Sequence, residues 1–115
     1  MSAEFTEILP GDYRGDEFIT FSPCGRVHFS KQAAERLQVA GRKVRFSTSG
    51  NSVYILVDDT GPYNVRVCTS TGACRTNALA VYQLIADIIG ETKKIPLRMD
   101  LTRTVVKGWT KLEVA

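Results

Sequence analysis

Hydrophobic and polar residues alternate along several short stretches of the chain, which is the pattern of strands that bury one face. In RVHF, residues 26–29, the two apolar side chains share one face and the two polar side chains share the other. The alternation returns at residues 42–48 and 63–67, whereas residues 52–57 are almost continuously apolar. The pattern therefore predicts several strands, and it predicts that the strand at 52–57 is covered on both faces.

Two segments have the spacing of helices. The first follows Ser30, whose hydroxyl can accept a hydrogen bond from the first helical turn, and Gly41 comes after it. The second runs roughly from Ala78 to Ile89 and carries a wide stripe of aliphatic side chains, which favours burial in the core. Strands with one short and one long helix predict an α+β fold with a mainly antiparallel sheet.

The order of predicted elements is similar in residues 18–60 and residues 63–115. If Gly25 is aligned with Gly72, each part reads as a strand, a capped helix, a glycine and two further strands. One interpretation is an internal β-α-β-β repeat, which would make the fold internally dimeric. The other is that two capped helices ending in glycine are simply common.

Charge separates the start of the chain from the rest. Residues 1–17 carry five acidic side chains and one basic side chain, while the remainder carries 14 basic and seven acidic side chains. With Pro10, Gly11 and Gly15, the first 17 residues are expected to form an acidic, irregular arm. A chain of 115 residues is expected to hold one domain, here residues 18–115.

Five basic side chains are expected on the outward faces of the sheet: Arg26, Lys43, Arg45, Arg66 and Arg98. A sheet face that is rich in lysine and arginine can contact phosphates, so these residues are the predicted nucleic-acid-binding site. The alternative is that the charges keep the sheet soluble and prevent its edges from pairing with other strands.

Residues 18–57 contain a sequence of features that also occurs in a known family. Gly25-Arg26-Val27 is followed by a short helix with Leu37, then by Gly41 and a basic alternating strand. This order resembles the AbrB/MazE-type swapped-hairpin domain, over about a third of the chain. The resemblance implies a dimeric transcription factor or antitoxin that binds DNA through basic residues of its sheet. Among the residues above, it singles out Arg26, and then Lys43 and Arg45.

The chain departs from that family at two positions. The family usually has a proline at the start of the helix, where this chain has Ser30-Lys31. It usually has an acidic residue after the glycine, where this chain has Arg42. A convergent strand-helix-strand-strand unit is the alternative explanation of the resemblance.

No arrangement of reactive side chains predicts catalysis. The three cysteines form no Cys-x-x-Cys pair, and His28 is the single histidine, so the usual zinc spacing is absent. Asp58-Asp59 reads as a turn, because no further oxygen ligands follow at the spacing of a calcium loop. We therefore expect a non-enzymatic protein with no catalytic residue, no cofactor and no metal.

No apolar stretch is long enough to span a bilayer, and the N-terminus lacks the basic flank and apolar core of a secretion signal. The expected location is the cytoplasm, with reduced thiols and no membrane partner. The predicted function is a small protein that binds DNA or another polyanion, as a regulator of bacterial or phage type. The alternative is a protein-interaction module, either a homodimer or an inhibitor or adaptor of a host or phage protein, with no nucleic-acid role.

Overall fold

The computed structural model describes residues 17–68 and 70–114. Apart from Glu17, the arm predicted at residues 1–17 lies outside the described residues. Neither helix of the described segments is long and apolar enough to cross a membrane. In chain order the elements are β1 (Phe18–Phe21), β2 (Arg26–Phe29), α1 (Lys31–Leu37), β3 (Lys43–Ser49), β4 (Ser52–Val57), β5 (Tyr63–Asn64), β6 (Arg66–Val67), β7 (Cys74–Asn77), α2 (Leu79–Ile89), β8 (Leu97–Val106) and β9 (Trp109–Val114).

These strands form one antiparallel sheet in the order β5-β3-β4-β9-β8-β1-β2-β7-β6. The two edge strands, β5 and β6, belong to one extended segment that is interrupted only at Val65. β5 pairs with β3 and β6 pairs with β7, while the Val65 amide donates to the Arg42 carbonyl at 2.9 Å. The same segment thus serves both edges, and the sheet curls into a nearly closed barrel. We term residues 63–67 the closing segment.

The predicted α+β class is wrong, because the described residues are dominated by the sheet. Strands hold 46% of them and helices hold 19%. The predicted β-α-β-β unit is also wrong, since two strands precede each helix: β1 and β2 before α1, β6 and β7 before α2. Much of the difference comes from β7 and from the way in which residues 63–67, predicted as one strand, pair with both edges of the sheet. These features depend on hydrogen bonds to partners that are distant in the sequence, which a local hydrophobic pattern does not reveal.

The barrel interior is packed with side chains from both the strands and the helices. Every second residue of β1 and β2 is fully buried, namely Ile19, Phe21, Val27 and Phe29. The ring of Phe21 meets that of Phe46 edge to face, with centroids 5.7 Å apart. Both helices contribute to the same core, α1 with Ala33 and Ala34, and α2 with Val81, Tyr82, Ile85 and Ala86.

Ser30 joins the first strand to the first helix. Its Oγ accepts hydrogen bonds from the amides of Ala33 and Phe18, each at 3.1 Å. The bond from Ala33 is the helix cap that the sequence predicts, and it is confirmed. The bond from Phe18 fixes the start of α1 against β1. The helix itself ends at Gln38, which takes the left-handed conformation before Gly41 is reached.

The strand pairings follow one pattern in both halves of the sheet. A hairpin precedes each helix, β1–β2 and β6–β7, and another follows it, β3–β4 and β8–β9. β4 pairs with β9 and β2 pairs with β7, so equivalent strands meet each other. β1 lies against β8, as the closing segment lies against β3. The pairings thus have an internal two-fold arrangement, while a repeat in the sequences of residues 18–60 and 63–115 stays a prediction.

Replacement of Phe29 by alanine is expected to destabilise the protein by about 3–5 kcal/mol, because it removes a fully buried ring from the barrel interior. His28→Ala changes the outward neighbour on the same strand and should alter stability by less than about 0.5 kcal/mol. Urea unfolding followed by circular dichroism measures both. Equal losses for the two variants would contradict the observed direction of β2. If Phe29→Ala does not fold, Ile55→Val should still cost about 0.5–1.5 kcal/mol.

Candidate functional site

Outward side chains on five neighbouring strands lie opposite one another across the sheet. His28 on β2 is opposite Thr20 on β1 and Arg75 on β7. Thr20 is in turn opposite Arg98 on β8, and Arg75 is opposite Arg66 on β6. Neighbouring strands lie about 4.8 Å apart, so the five residues extend for about 19 Å. We term them the cross-strand row.

A groove with a volume of about 410 Å³ opens at one end of this row. Three arginines from three strands line it: Arg26 of β2, Arg66 of β6 and Arg75 of β7. Asn77, which is opposite Arg26, and Asn64 of β5 add two carboxamides. Because the closing segment brings β5 and β6 beside β7, these residues meet only in the folded barrel. We term this surface the arginine groove.

The charges of the three groove arginines are not offset by carboxylates of the described segments. All three residues are exposed. The ion pairs seen among residues 17–68 and 70–114 involve other arginines, namely Arg36, Arg42, Arg45 and Arg98. Adjacent guanidinium groups without counterions create a positive potential, and their fork of N–H donors matches the oxygens of phosphate and carboxylate. The groove is therefore suited to bind an anion.

The structure brings together Arg26 and Arg66, both predicted from the sequence, and places Lys43 beside the groove. Lys43 is exposed on β3, and its partner in the pairing with β5 is Asn64. Arg45 lies two residues further along β3 and is engaged elsewhere. Its Nε donates to Asp58 Oδ2 at 2.8 Å, so it fixes the turn that follows β4.

Arg98, the fifth predicted residue, lies at the far end of the cross-strand row. Its guanidinium carbon is 3.9 Å from the centre of the Phe18 ring, and its Nε is 3.3 Å from Asp100 Oδ1. The stacking holds the side chain against β1, and the carboxylate offsets its charge. The five predicted residues therefore do not form a single patch.

Sequence reasoning misses Arg75 and Asn77. None of the five cations predicted on the outward faces comes from CRTN, residues 74–77. In the structure β7 alternates, with Cys74 and Thr76 buried and the other two residues exposed. That alternation was the available signal, but cysteine and threonine mark a buried face less clearly than valine or isoleucine.

The turn between β4 and β5 is held by Asp58. Its Oδ1 accepts hydrogen bonds from the Thr60 hydroxyl at 2.7 Å and the Thr60 amide at 2.9 Å. These bonds, together with the one from Arg45, lower the pKa of Asp58 to about 2. Gly61 comes next, where a Cβ atom would lie only 2.6 Å from the Val44 carbonyl oxygen. The turn therefore requires glycine, and it sets where the closing segment begins.

Cys68, directly after β6, carries an exposed thiol. Its Sγ lies 3.3 Å from Ser70 Oγ, and hydrogen bonds from Ser70 and Thr71 lower the pKa of Cys68 to about 7. The Cys74 thiol is buried, and burial raises its pKa. Because the thiolate is the nucleophile, the lowered pKa favours reaction of Cys68 near neutral pH, and the raised pKa disfavours reaction of Cys74.

No group of three or more His, Cys, Asp or Glu residues within 17–68 and 70–114 could hold a metal ion. No protein-family model, curated protein or solved structure matches the chain. Function must therefore be inferred from the residues and geometry of the chain itself.

Asp58→Asn is expected to lower the melting temperature at neutral pH, because an amide oxygen accepts these hydrogen bonds less strongly than a carboxylate. The pKa of Asp58 is depressed from 3.8 to about 2, so the carboxylate stabilises the fold above pH 3.8 and loses this effect as the pH falls through 2. Thermal unfolding at several pH values should show the gap between wild type and variant closing over that window. Asp87→Asn, on an exposed position of α2, is the control. A gap that persists below pH 2 would contradict the assignment.

Alkylation of Cys68 by iodoacetamide should reach half its maximal rate near pH 7, where half of the thiol is ionised. Ser70→Ala removes the first hydrogen bond and should move this midpoint to higher pH. Mass spectrometry of peptides identifies the modified residue, and Cys74 should stay unmodified in the folded protein. An unchanged midpoint in Ser70→Ala would show that Ser70 does not stabilise the thiolate.

Proposed function

We propose that this protein binds DNA and catalyses no reaction, acting as a small regulator of bacterial or phage type. One observation carries the proposal, the arginine groove, where three exposed guanidinium groups on neighbouring strands have no carboxylate partner among the described residues. Phosphate is the anion that nucleic acids present at regular intervals, and arginine binds it through two parallel hydrogen bonds.

The extent of the surface favours a polymer over a small anion. The groove is open, and cationic or polar side chains continue from it along the cross-strand row and to Lys43. A phosphodiester backbone can use such a track, whereas a single phosphate could contact only part of it. Asn64 and Asn77 supply carboxamides, which can donate to a phosphate or pair with the edge of adenine.

The resemblance of residues 18–57 to the AbrB/MazE-type domain supports the same function, since it singles out Arg26. A cytoplasmic location is part of the proposal, because a DNA-binding regulator of this type works there. The three free cysteines support a reducing compartment.

The alternative function, a protein-interaction module, has its own support on the β8–β9 hairpin. Val105 and Val106 are 57% and 48% exposed, and Val106 lines a shallow groove with Tyr54 and Trp109. Exposed apolar side chains of this kind occur where proteins associate. Such a surface would join two copies of the chain or bind a host or phage protein.

Fluorescence anisotropy with a labelled DNA duplex tests the proposed function at salt concentrations between about 50 and 200 mM. Binding should weaken steeply with salt, and Arg66→Gln should weaken it and lower the slope of log K against log salt by about 1. Arg42→Gln is the matched control, because Arg42 is also exposed but is already paired with Asp59 at 3.0 Å. Its affinity should stay within about twofold of wild type.

The absence of salt-sensitive binding to both duplex and single-stranded DNA would overturn the proposal. Light scattering coupled to size-exclusion chromatography would then test the alternative. A dimer that dissociates on Trp109→Ser substitution would favour the β8–β9 hairpin as the interface.

A further inference from the structure

The repeated strand pairing gives positions in one half of the sheet a counterpart in the other. Gly25 is the last glycine before β2, and Gly72 is the last glycine before β7. His28 and Arg75 each lie three residues after the corresponding glycine. Opposite these two residues lie Thr20 on β1 and Arg66 on β6. Thus His28 corresponds to Arg75, and Thr20 corresponds to Arg66.

A third pair of counterparts follows from the next outward position. Two residues earlier in β1, Phe18 is opposite Asp100 of β8. Two residues earlier in the closing segment, Asn64 is opposite Lys43 of β3. Asp100 and Lys43 therefore occupy equivalent places and carry opposite charges.

These three pairs divide the outward face into a first half, formed by β1, β2 and β8, and a second half, formed by the closing segment, β7 and β3. The second half has the exposed cations Arg66, Arg75 and Lys43, and no ion pair to any of them is seen in the part of the chain that the structure describes. The first half has a threonine, a histidine and a carboxylate at the same places, namely Thr20, His28 and Asp100. Of its own cations, Arg98 is held beside Asp100 at 3.3 Å, whereas Arg26, at the start of β2 next to β7, lines the arginine groove together with the second half.

We infer, resting on the DNA binding proposed above, that the DNA contacts the second half of this face together with Arg26, and does not contact β1 or β8. Arg66, Arg75, Lys43 and Arg26 bind one run of backbone phosphates. Each lysine or arginine that neutralises a phosphate releases counterions and strengthens binding, whereas the Arg98–Asp100 pair presents no net charge to a phosphate.

This asymmetry determines the kind of DNA site. A protein with two equivalent binding halves reads two half-sites and favours a palindrome. In this chain the cations that contact DNA are clustered on one side of the outward face, so a single copy of the protein binds the duplex through that side alone. The ligand is a run of phosphates on duplex DNA without a required palindromic sequence.

Nuclear magnetic resonance on the full chain shows which half is contacted. Unlabelled duplex DNA of non-palindromic sequence is added to the ¹⁵N-labelled protein at neutral pH. Amide signals of β6, β7 and Lys43 should shift, and those of β1 and β8 should stay in place. Light scattering should find one protein per contact region on a short duplex.

Two matched double variants test the same inference by affinity. Arg66→Thr with Arg75→His puts the first half's own residues at the counterpart positions, and it should weaken duplex binding by at least about tenfold. Thr20→Ala with His28→Ala alters the first half at equivalent outward positions and should change affinity by less than about twofold. Melting temperatures confirm that both variants are folded.

Two failures are distinguishable. Equal loss of affinity in both double variants, or shifts spread evenly over β1, β8, β6 and β7, would overturn one-sided contact and leave DNA binding intact. No shifts and no anisotropy change with any nucleic acid would overturn the proposed function itself.

Discussion

The whole barrel depends on the way in which residues 63–67 close it. An open sheet of this curvature would leave unpaired N–H and C=O groups along both edges. The closing segment pairs with β3 through β5 and with β7 through β6, and Val65 between them is only 3% exposed, so its side chain fills the core. The alternation along the segment then directs Asn64 and Arg66 outward, into the arginine groove. Closure of the fold and assembly of the candidate site are consequences of the same five residues.

The arginines of this chain are divided between folding and the open face. Arg42 and Arg45 pair with the aspartates of the turn that precedes the closing segment, at 3.0 and 2.8 Å. Exposed pairs of this kind add little stability individually, but here they fix the turn from which the closing segment starts. Arg66 and Arg75 have no such task in the described segments, and burial does not explain their presence. Exposed arginines without an ion pair among the described residues are the strongest structural support for the proposed function.

Local features of the fold could be predicted from the sequence, and its closure could not. Alternation identified β2 and β3, and the hydroxyl of Ser30 identified the start of α1, because these signals lie within a few residues of each other. The α+β class was wrong because short strands such as β7 form through partners distant in the chain. The same limit applies to the site. Arg26 and Arg66 were predicted as outward cations, but their meeting with Arg75 depends on pairings that no local pattern contains.

The two-fold arrangement of the strand pairings explains why the outward residues differ between the two halves of the face while the inward residues are alike. Equivalent inward positions, such as Ile19 and Val65 or Val44 and Leu101, are all buried and aliphatic, because they pack into one shared interior. Outward positions have no such common neighbour, so substitution there costs little stability. Charge can therefore accumulate on one half of the face without disturbing the barrel. The barrel sets the positions of the outward side chains, and the sequence of each half sets which of them can attract a phosphate.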